Sequence, residues 1–392
     1  MPFYHRMGRI PHKRHTQFRN EDGGLYREQV MGTKGFSGIQ SILYHHSAPT
    51  ELLRAEYLGA LDIVYEEPGA LGYRHFNTSA HREKGDAVSG RHYVVGNDDV
   101  LMAVVNLTEQ MDYFYRNGSG DELLFVHCGT GILETMFGTL RYRPGDYIVI
   151  PIGTIYRVVP DPGQSKLLVI ETSSCISTPK RYRNEHGQLL EHSPFCERDI
   201  RLPETLETYT DTGEFEVRTK VGGNLHAHIY GCHPLNVVGW DGYLYPYILN
   251  IGDFEPITGR IHMPPPIHQT FEGHNFVICS FVPRMYDYHP QAIPTPYFHS
   301  NVDSDEVLYY VEGNFMSRKN INIGSVTLHP AGIPHGPHPG TIEAGIGKTE
   351  TKELAVMLDT FRPLKVVKAA HAMEDKNYLY SWSQRRDGCD SQ

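Results

Sequence analysis

The sequence predicts a fold dominated by β-structure, with two jelly-roll-like β-barrels produced by internal duplication and few short helices. Short β-type runs that end in turn residues recur from about residue 90 to 175 and again from about 245 to 360. The two regions share one spaced motif, and convincing amphipathic helical patterns are few. A chain of 392 residues is also long enough to bury two hydrophobic cores.

Three segments are predicted in order along the chain. Residues 1–178 form an N-terminal segment and a first barrel, residues 179–244 a connecting region, and residues 245–392 a second barrel with a tail. The connecting region is polar and contains Pro194 and Pro203, a composition typical of a link between folded units. We therefore expect one core on each side of this region.

Composition narrows the class of partner. The chain has 26 Pro, 38 Gly and 25 Tyr, as expected for an ordered, turn-rich β-protein. Its formal net charge of -10 disfavours a nucleic-acid or anionic membrane surface, because phosphate binding depends on clustered Lys and Arg. We expect a small-molecule partner, with no nucleic acid and no membrane.

The location of the protein is predicted to be cytoplasmic. No apolar run approaches the roughly 20 residues of a membrane span, and the N-terminus lacks the apolar core of a signal peptide. The six cysteines are scattered without a C-x-x-C pair, so we expect reduced thiols rather than disulfides or a thiolate zinc site.

An internal repeat identifies the two barrels as copies. The first region contains Tyr115-x-Asn117-x4-Glu122-x6-Gly129 and Gly145-x5-Pro151-x-Gly153-x2-Tyr156. The second contains His299-x-Asn301-x4-Glu306-x6-Gly313 and Gly324-x5-Pro330-x-Gly332-x2-His335. The spacing agrees in both halves, which indicates a duplication. Tyrosines stand in the first copy where the second has histidines, so the first barrel is predicted to be metal-free.

Three residues of the second copy predict a metal site. A hairpin with its turn at about Val302 to Asp305 can place His299 and Glu306 on one face. Glu306 lies on a strand that is apolar on both sides, where a carboxylate is costly unless it is paired or binds a cation. His335 follows the next strand and would return over the hairpin.

Two imidazoles and one carboxylate on one side of a metal leave positions open for a bidentate substrate and O₂, which is typical of non-haem Fe(II) oxygenases. Manganese suits the same ligands. Any one of these histidines alone would more simply be a surface or hydrogen-bonded residue, so the prediction depends on the set of three.

These motifs resemble those of the homogentisate 1,2-dioxygenase family, whose members are built from two cupin barrels. The resemblance covers most of the chain and includes Pro11–Arg19, Gly24–Gln29, Phe281–Arg284, Pro296–His299 and Leu328–Pro337. It implies that His299, Glu306 and His335 bind Fe(II), with Asn301 favouring a three-ligand site. It also implies a metal-free first barrel and a homo-oligomer, either a trimer or a hexamer.

The resemblance also suggests the residues around the metal. The family uses a histidine upstream of the first ligand as acid or base, and His268 is the chosen catalytic candidate, with His262 and His289 as alternatives. The candidate substrate-binding residues are His329, which falls on an active-site histidine of the family, His338 and Tyr310. The tyrosine that binds the substrate carboxylate in the family is replaced by Phe315.

The predicted function is that of an Fe(II)-dependent ring-cleaving dioxygenase. It would convert homogentisate and O₂ to 4-maleylacetoacetate in tyrosine and phenylalanine catabolism, with cleavage next to the side chain of the ring. One alternative is a gentisate-type or other hydroquinone dioxygenase of the cupin superfamily. Another is a non-catalytic metal-binding bicupin, since the fold alone does not decide function.

Overall fold

Strands make up most of the regular structure in this computed structural model, which describes residues 3–80, 83–313, 315, 317–318 and 321–383. Cys389 lies outside the described residues, and the other five cysteines are free thiols. Within the described part, the longest α-helix has five residues, α1 (Thr341–Gly345). The 3-10 helices are Thr78–Ala80, Lys180–Tyr182, Glu197–Asp199, Ile251–Asp253, Pro265–His268, Lys368–Met373 and Tyr378–Tyr380.

The strands are numbered in chain order. Those up to residue 250 are β1 (His5–Gly8), β2 (Arg27–Gly32), β3 (Gln40–His45), β4 (Leu52–Ala60), β5 (Arg74–Asn77), β6 (His92–Gly96), β7 (Val100–Leu107), β8 (Phe114–Asn117), β9 (Glu122–Cys128), β10 (Gly131–Thr135), β11 (Gly138–Tyr142), β12 (Asp146–Ile150), β13 (Tyr156–Pro160), β14 (Ser165–Thr172), β15 (Ile200–Arg201), β16 (Thr212–Val221), β17 (Asn224–Cys232), β18 (Val237–Gly242) and β19 (Tyr247–Asn250). The later strands are β20 (Gln269–Gly273), β21 (Phe276–Phe281), β22 (Arg284–Met285), β23 (Asp305–Glu312), β24 (Ser325–His329), β25 (Glu350–Thr351), β26 (Leu354–Thr360) and β27 (Lys365–Val366).

The first barrel consists of two sheets. One has the order β15-β19-β12-β9-β14-β7-β6-β27, and the other has the order β11-β10-β13-β8-β16-β17-β4. Side chains from both sheets, including Leu124, Ile148 and Val158, fill the space between them and are at most 1% exposed. These apolar positions alternate along each strand, as expected for a sheet whose two faces meet different surroundings.

The second barrel has a six-stranded sheet in the order β20-β21-β26-β23-β24-β5. Its outer face packs on the first barrel: the rings of Phe125 and Tyr309 are 6.5 Å apart, and the hydroxyls of Tyr147 and Ser280 are 2.9 Å apart. On β23, Val307 and Tyr309 face this contact, while Leu308 and Tyr310 face the interior of the second barrel. The predicted division of this strand into two apolar faces is confirmed.

The two barrels repeat one three-stranded unit. In the first barrel β9 lies between β12 and β14, and in the second β23 lies between β24 and β26, all antiparallel. In each copy a glycine precedes the second strand in chain order: Gly145 before β12, with a φ of 85°, and Gly324 before β24, with a φ of 81°. A glycine also follows that strand: Gly153, with a φ of 78°, and Gly332, with a φ of 81°. These left-handed turns require glycine in both copies, which is why the spacing survives. The predicted fold class is confirmed.

The predicted division of the chain at residues 178 and 244 stays a prediction. The segment 179–244 contains β16, which pairs in parallel with β8, and β17, which pairs with β4. It therefore contributes strands to the first barrel in addition to connecting the two barrels. In the other direction, β5 from the N-terminal segment pairs with β24 of the second barrel.

No helix among the described residues is long and apolar enough to cross a membrane.

Candidate metal centre

The three predicted ligands lie together at one end of the second barrel. Glu306 is the second residue of β23, and the backbones of His299 and His335 form an isolated bridge in which each N–H donates to the other's carbonyl at 2.8 Å. Left-handed Gly332 turns the chain after β24 and so positions His335 for this bridge. The residues are thus positioned by backbone pairing, although they are up to 36 positions apart in the sequence (335 − 299).

The ligand atoms converge on one point. One atom from each of His299, Glu306 and His335 lies within 4.8 Å of the others, and no other such group occurs in the described chain. The Nε2 atoms of His299 and His335 are 3.6 and 3.5 Å from Glu306 Oε2. His299 Nδ1 is 3.2 Å from the carbonyl oxygen of Tyr297, so Nδ1 can donate there and leave Nε2 free to bind a metal.

The surroundings of these atoms fit a cation. Both ring nitrogens of His335 are buried without a hydrogen-bond partner, which is costly for a polar group. Burial alone would raise the pKa of Glu306, but the three histidines around it, His299, His329 and His335, hold it well below its ordinary value. The His299 side chain is 32% exposed, while those of Glu306 and His335 are 8% and 0% exposed, so the site is open on the His299 side.

A second carboxylate lies beside Glu306. Asp359 of β26 is directly opposite Glu306 in the strand register, and its Oδ1 is buried without a hydrogen-bond partner. Burial and the Glu306 carboxylate raise the pKa of Asp359 well above its ordinary value. Neither carboxylate forms an ion pair with a Lys or Arg in the part of the chain that the structure describes.

The first barrel has the same two acidic positions with cations present. Glu122 and Glu171 are opposite each other in the register of β9 and β14. Arg91 Nη1 lies 2.6 Å from a Glu122 oxygen and 2.8 Å from a Glu171 oxygen, and Lys220 pairs with Glu171. The Tyr156 hydroxyl donates to Glu122 Oε2 at 2.7 Å. Two positive side chains thus balance two buried carboxylates.

Comparison of the two barrels gives a direct test of whether the donor set fits a metal. Tyr115 and Tyr156 are bridged with rings 5.5 Å apart, as His299 and His335 are bridged with rings 4.3 Å apart. The second barrel keeps the acidic pair but has no ion-paired equivalent of Arg91 and Lys220 among its described residues. A divalent cation at the histidines would supply the missing charge, so the residues fit the predicted metal.

His329, which is predicted to bind substrate, contacts Glu306, one of the three predicted metal ligands. Its ring is fully buried at the end of β24, with Nδ1 2.8 Å from Glu306 Oε1 and Nε2 3.2 Å from the Tyr378 hydroxyl. Burial lowers the pKa of His329 to about 4, so the ring is neutral at neutral pH. In the tautomer that suits both contacts, Nδ1 donates to Glu306 and Nε2 accepts from Tyr378.

The other two predicted substrate-binding residues contact side chains other than the three predicted ligands. His338 is buried, with Nε2 2.9 Å from the Ser381 hydroxyl and its ring 4.2 Å from that of Trp382. The Tyr310 hydroxyl is 3.1 Å from Thr327 Oγ1, and its ring packs on Phe315 at 4.4 Å. Their role in binding substrate stays a prediction.

The histidines considered for acid or base chemistry differ in their contacts. His268 is buried against Phe281, and no described contact joins it to the three predicted ligands. Burial, with the nearby Arg284, lowers the pKa of His268 to about 3. His262 instead contacts Tyr297, the residue that holds the His299 ring. His262 Nδ1 is also 3.2 Å from Asp287 Oδ2.

Arg318 is a residue of this region that sequence reasoning missed. Its Nε is buried without a hydrogen-bond partner, and it forms no ion pair with a carboxylate among the described residues. Its Nη1 donates to the Gly336 carbonyl at 2.6 Å, and its positive charge acts on His299, although Glu306 still holds the pKa of His299 above its ordinary value. No local pattern marks this residue, because its partners come from other parts of the fold.

Two protein-family models match this chain. The homogentisate 1,2-dioxygenase N-terminal family model matches residues 41–251, and the C-terminal model of the same family matches residues 264–387. Together they span both barrels and all three predicted ligands.

Individual proteins similar to this chain differ in sequence identity and in the share of the chain that they match. A Saccharolobus solfataricus protein named "Putative dioxygenase" is 40% identical over 97% of this chain and 99% of its own length. The homogentisate 1,2-dioxygenase of Arabidopsis thaliana is 27% identical over 72% of this chain and 64% of its own length. Among solved structures, a cupin 2 conserved barrel domain protein from Leptotrichia buccalis aligns with a TM-score of 0.30 at 10% identity, over 77% of this chain and 100% of its own.

Proposed function

The chain belongs to the homogentisate 1,2-dioxygenase family, and on that premise we propose that it converts homogentisate and O₂ to 4-maleylacetoacetate with Fe(II). The proposal depends on one observation. His299, Glu306 and His335 bring possible metal-binding atoms within 4.8 Å of one another, at a pair of buried acidic residues that has no Lys or Arg partner among the described residues. The proposal includes a place in tyrosine and phenylalanine catabolism, a cytoplasmic location and a homo-oligomer, either a trimer or a hexamer. Each of these statements goes further than membership of a dioxygenase family and is part of the proposal.

The chain's own residues would hold the metal as a facial triad. Fe(II), when bound, would favour the ionised form of a phenolic substrate and allow electrons to pass between that substrate and O₂. The Tyr297 carbonyl orients His299, and His329 holds the second oxygen of Glu306, so the donor atoms are fixed before substrate arrives. The same donor set would accept manganese, and activity with each metal distinguishes the two.

Arg318 supports a substrate with an anionic arm. A partly buried guanidinium whose Nε has no hydrogen-bond partner is costly, and the carboxylate of the substrate would supply that partner through charge-assisted hydrogen bonds. Arg318 already donates to Gly336, next to His335, so a carboxylate bound there would lie beside the ligands. Phe315 packs on Tyr310 and has no hydroxyl that could bind the carboxylate. Arg318 would therefore bind the carboxylate instead.

The proton of the substrate hydroxyl needs an acceptor near the metal. We place this role on His262, because Asp287 can orient its ring and Tyr297 connects it to His299. The sequence-based choice of His268 stays a prediction; with its pKa lowered to about 3 by burial and Arg284, it would be a weak base. The fully buried ring of His329 would keep the Glu306 carboxylate in place.

A gentisate-type reaction is the second candidate. One observation favours it: Phe315 replaces the family's carboxylate-binding tyrosine. A carboxylate attached directly to the ring would need different binding contacts. Both candidates use the same metal and the same Arg318. A non-catalytic bicupin would bind metal without consuming O₂.

Oxygen uptake by the reconstituted protein tests the proposal. The protein is loaded anaerobically with Fe(II) or Mn(II), mixed with homogentisate, gentisate or a hydroquinone without a carboxylate, and exposed to O₂. The proposal expects stoichiometric uptake and a ring-opened product with homogentisate and Fe(II). Uptake only with gentisate would support the second candidate, and bound iron without uptake for any of the three substrates would contradict dioxygenase function.

A further inference from the structure

A cavity separate from the metal centre lies where the two barrels meet. Its volume is about 440 Å³, and it is lined by residues of the first barrel, among them His127, Cys128 and Lys166, and by Ile323 of the second. Gly324, which also borders Lys166, immediately precedes β24, and His329 is the last residue of that strand. The cavity is therefore roughly 17 Å from the predicted ligands along this strand.

Lys166 is a buried cation at this cavity. The residue is only 6% exposed, and its Nζ donates to the Thr78 hydroxyl at 2.9 Å. No carboxylate in the described chain forms an ion pair with it, whereas Lys220, on the other side of the first barrel, pairs with Glu171. Burial lowers the pKa of Lys166 to about 8, as expected for an ammonium group that lacks an anionic partner.

The backbone makes room for this ammonium group. A Cβ atom on Gly324 would lie 2.8 Å from Lys166 Nζ, and Gly324 has a φ of 81°. Glycine is thus favoured at this position by the left-handed turn before β24, and its lack of a Cβ leaves room for the lysine. The amino group thus lies beside the Thr78 hydroxyl and the backbone at Gly324.

The described residues that line the cavity carry donors and no carboxylate. Besides Lys166, the lining includes the hydroxyl of Ser165, the amide groups of Asn106 and Gln164, and the ammonium of Lys84. Hydroxyl, amide and ammonium groups around a buried positive charge form the usual environment of an oxyanion. A neutral or cationic ligand would leave the charge of Lys166 without compensation.

We propose that this cavity is a second binding site, which holds a small oxyanion, either a phosphate or a carboxylate, paired with Lys166. The site is distinct from the predicted metal centre, and it does not depend on the proposed reaction. His127 connects it to the ligand-bearing strand, because His127 Nδ1 is 3.0 Å from the hydroxyl of Tyr309 on β23.

Calorimetric titration of the iron-loaded protein with inorganic phosphate, and separately with succinate, tests the proposal. We expect at least one of the two to bind, and the affinity to fall at least tenfold in Lys166→Met. The exposed Lys348, which is outside the cavity lining, provides the matched control, and Lys348→Met should bind as the unaltered protein does. The probe that binds more tightly identifies the source of the oxyanion.

A pH series on the unaltered protein remains informative if Lys166→Met does not fold. Binding should weaken as pH rises from 7 through about 8, because Lys166 then loses its proton. Three other titratable groups line the cavity: Lys84 adds a second ammonium group, burial lowers the pKa of His127 to about 4, so it stays neutral over this range, and burial raises the pKa of Cys128. Equal affinity in Lys166→Met, no loss of affinity above pH 8, or no binding of either probe would each overturn the proposal.

Discussion

Glu306 is the residue on which the predicted metal centre depends. Its two carboxylate oxygens are divided between different partners: Oε1 is 2.8 Å from His329, and Oε2 faces both His299 and His335. One oxygen is thus held by the protein while the other points to the place where the imidazole nitrogens converge. This division explains why a carboxylate on a strand with two apolar faces is tolerated.

Arg318 gives the first prediction at the residue scale. Arg318→Met should raise KM for homogentisate roughly 10- to 100-fold, because a hydrogen bond to a charged group contributes about 1.5–3 kcal/mol. Turnover of a hydroquinone without a carboxylate should change little, and Arg318→Lys should restore part of the lost affinity. Steady-state oxygen uptake measures all three. An equal loss with both substrates would show that Arg318 acts through the fold and not on the carboxylate.

The histidine pair His262 and His268 gives the second prediction. His262→Gln should lower kcat/KM by about 10²- to 10⁴-fold, the usual contribution of a general base. His268→Gln should leave the shape of the pH–rate profile above pH 5 unchanged, because burial and Arg284 lower the pKa of His268 to about 3. Profiles of kcat/KM against pH for the two variants separate the roles. The reverse pattern would restore His268 as the base.

A repeated motif was enough to predict which side chains lie close together in this region. His299, Glu306 and His335 were predicted from the spacing shared with Tyr115 and Tyr156, and the structure brings them together. Arg318 and Tyr378 could not be predicted in this way. Tyr378 reaches His329 across 49 residues, and such a contact leaves no periodic pattern in the chain.

At the scale of elements, the repeated three-stranded unit uses two ways of compensating one acidic pair. In the first barrel, burial alone would raise the pKa of Glu171, but Arg91 and Lys220 hold it below its ordinary value. In the second barrel, no such cations accompany the acidic pair among the described residues. The duplication was predictable because the glycine turns preserve the spacing of the motifs. The pairing of Arg91 with the two carboxylates was not predictable, because Arg91 lies outside both motifs.

Removal of Arg91 tests this view of the first barrel. Arg91→Met should lower the free energy of unfolding by about 3–5 kcal/mol, since it leaves two buried carboxylates without their main partner. Arg141→Met is the matched control, because the ion pair of Arg141 with Asp161 is 57% and 36% exposed and should contribute at most about 1 kcal/mol. Denaturant unfolding curves measure both. Similar losses in the two variants would contradict the compensating role of Arg91.

At the scale of the whole molecule, the barrels are joined by exchanged strands. β5 from the N-terminal segment forms the edge of the second barrel's sheet next to β24, and His75 on β5 is 2.9 Å from Ser325 across 250 residues. β27, from the C-terminal part, extends the first barrel's sheet beside β6. Pairings over such distances could not be predicted, since both short strands lie outside the recognised β-type runs and no local pattern shows which distant strand each one joins.

This exchange predicts that the second barrel does not function alone. A fragment of residues 245–392 contains the three predicted ligands but lacks β5, so the backbone of β24 would lose its partner on one side. We expect the fragment to bind much less iron than the full chain and to show weaker near-ultraviolet circular dichroism. Stoichiometric iron in a folded fragment would show that β5 is dispensable.

The iron content of His335→Ala, compared with that of Tyr156→Phe, tests the proposed ligand set. The two residues occupy equivalent positions in the two barrels, and only the histidine is predicted to bind metal. After anaerobic loading with Fe(II), the unaltered protein and Tyr156→Phe should each retain about one iron per chain. His335→Ala should retain almost none and lose turnover; stoichiometric iron in His335→Ala would contradict the proposed ligand set.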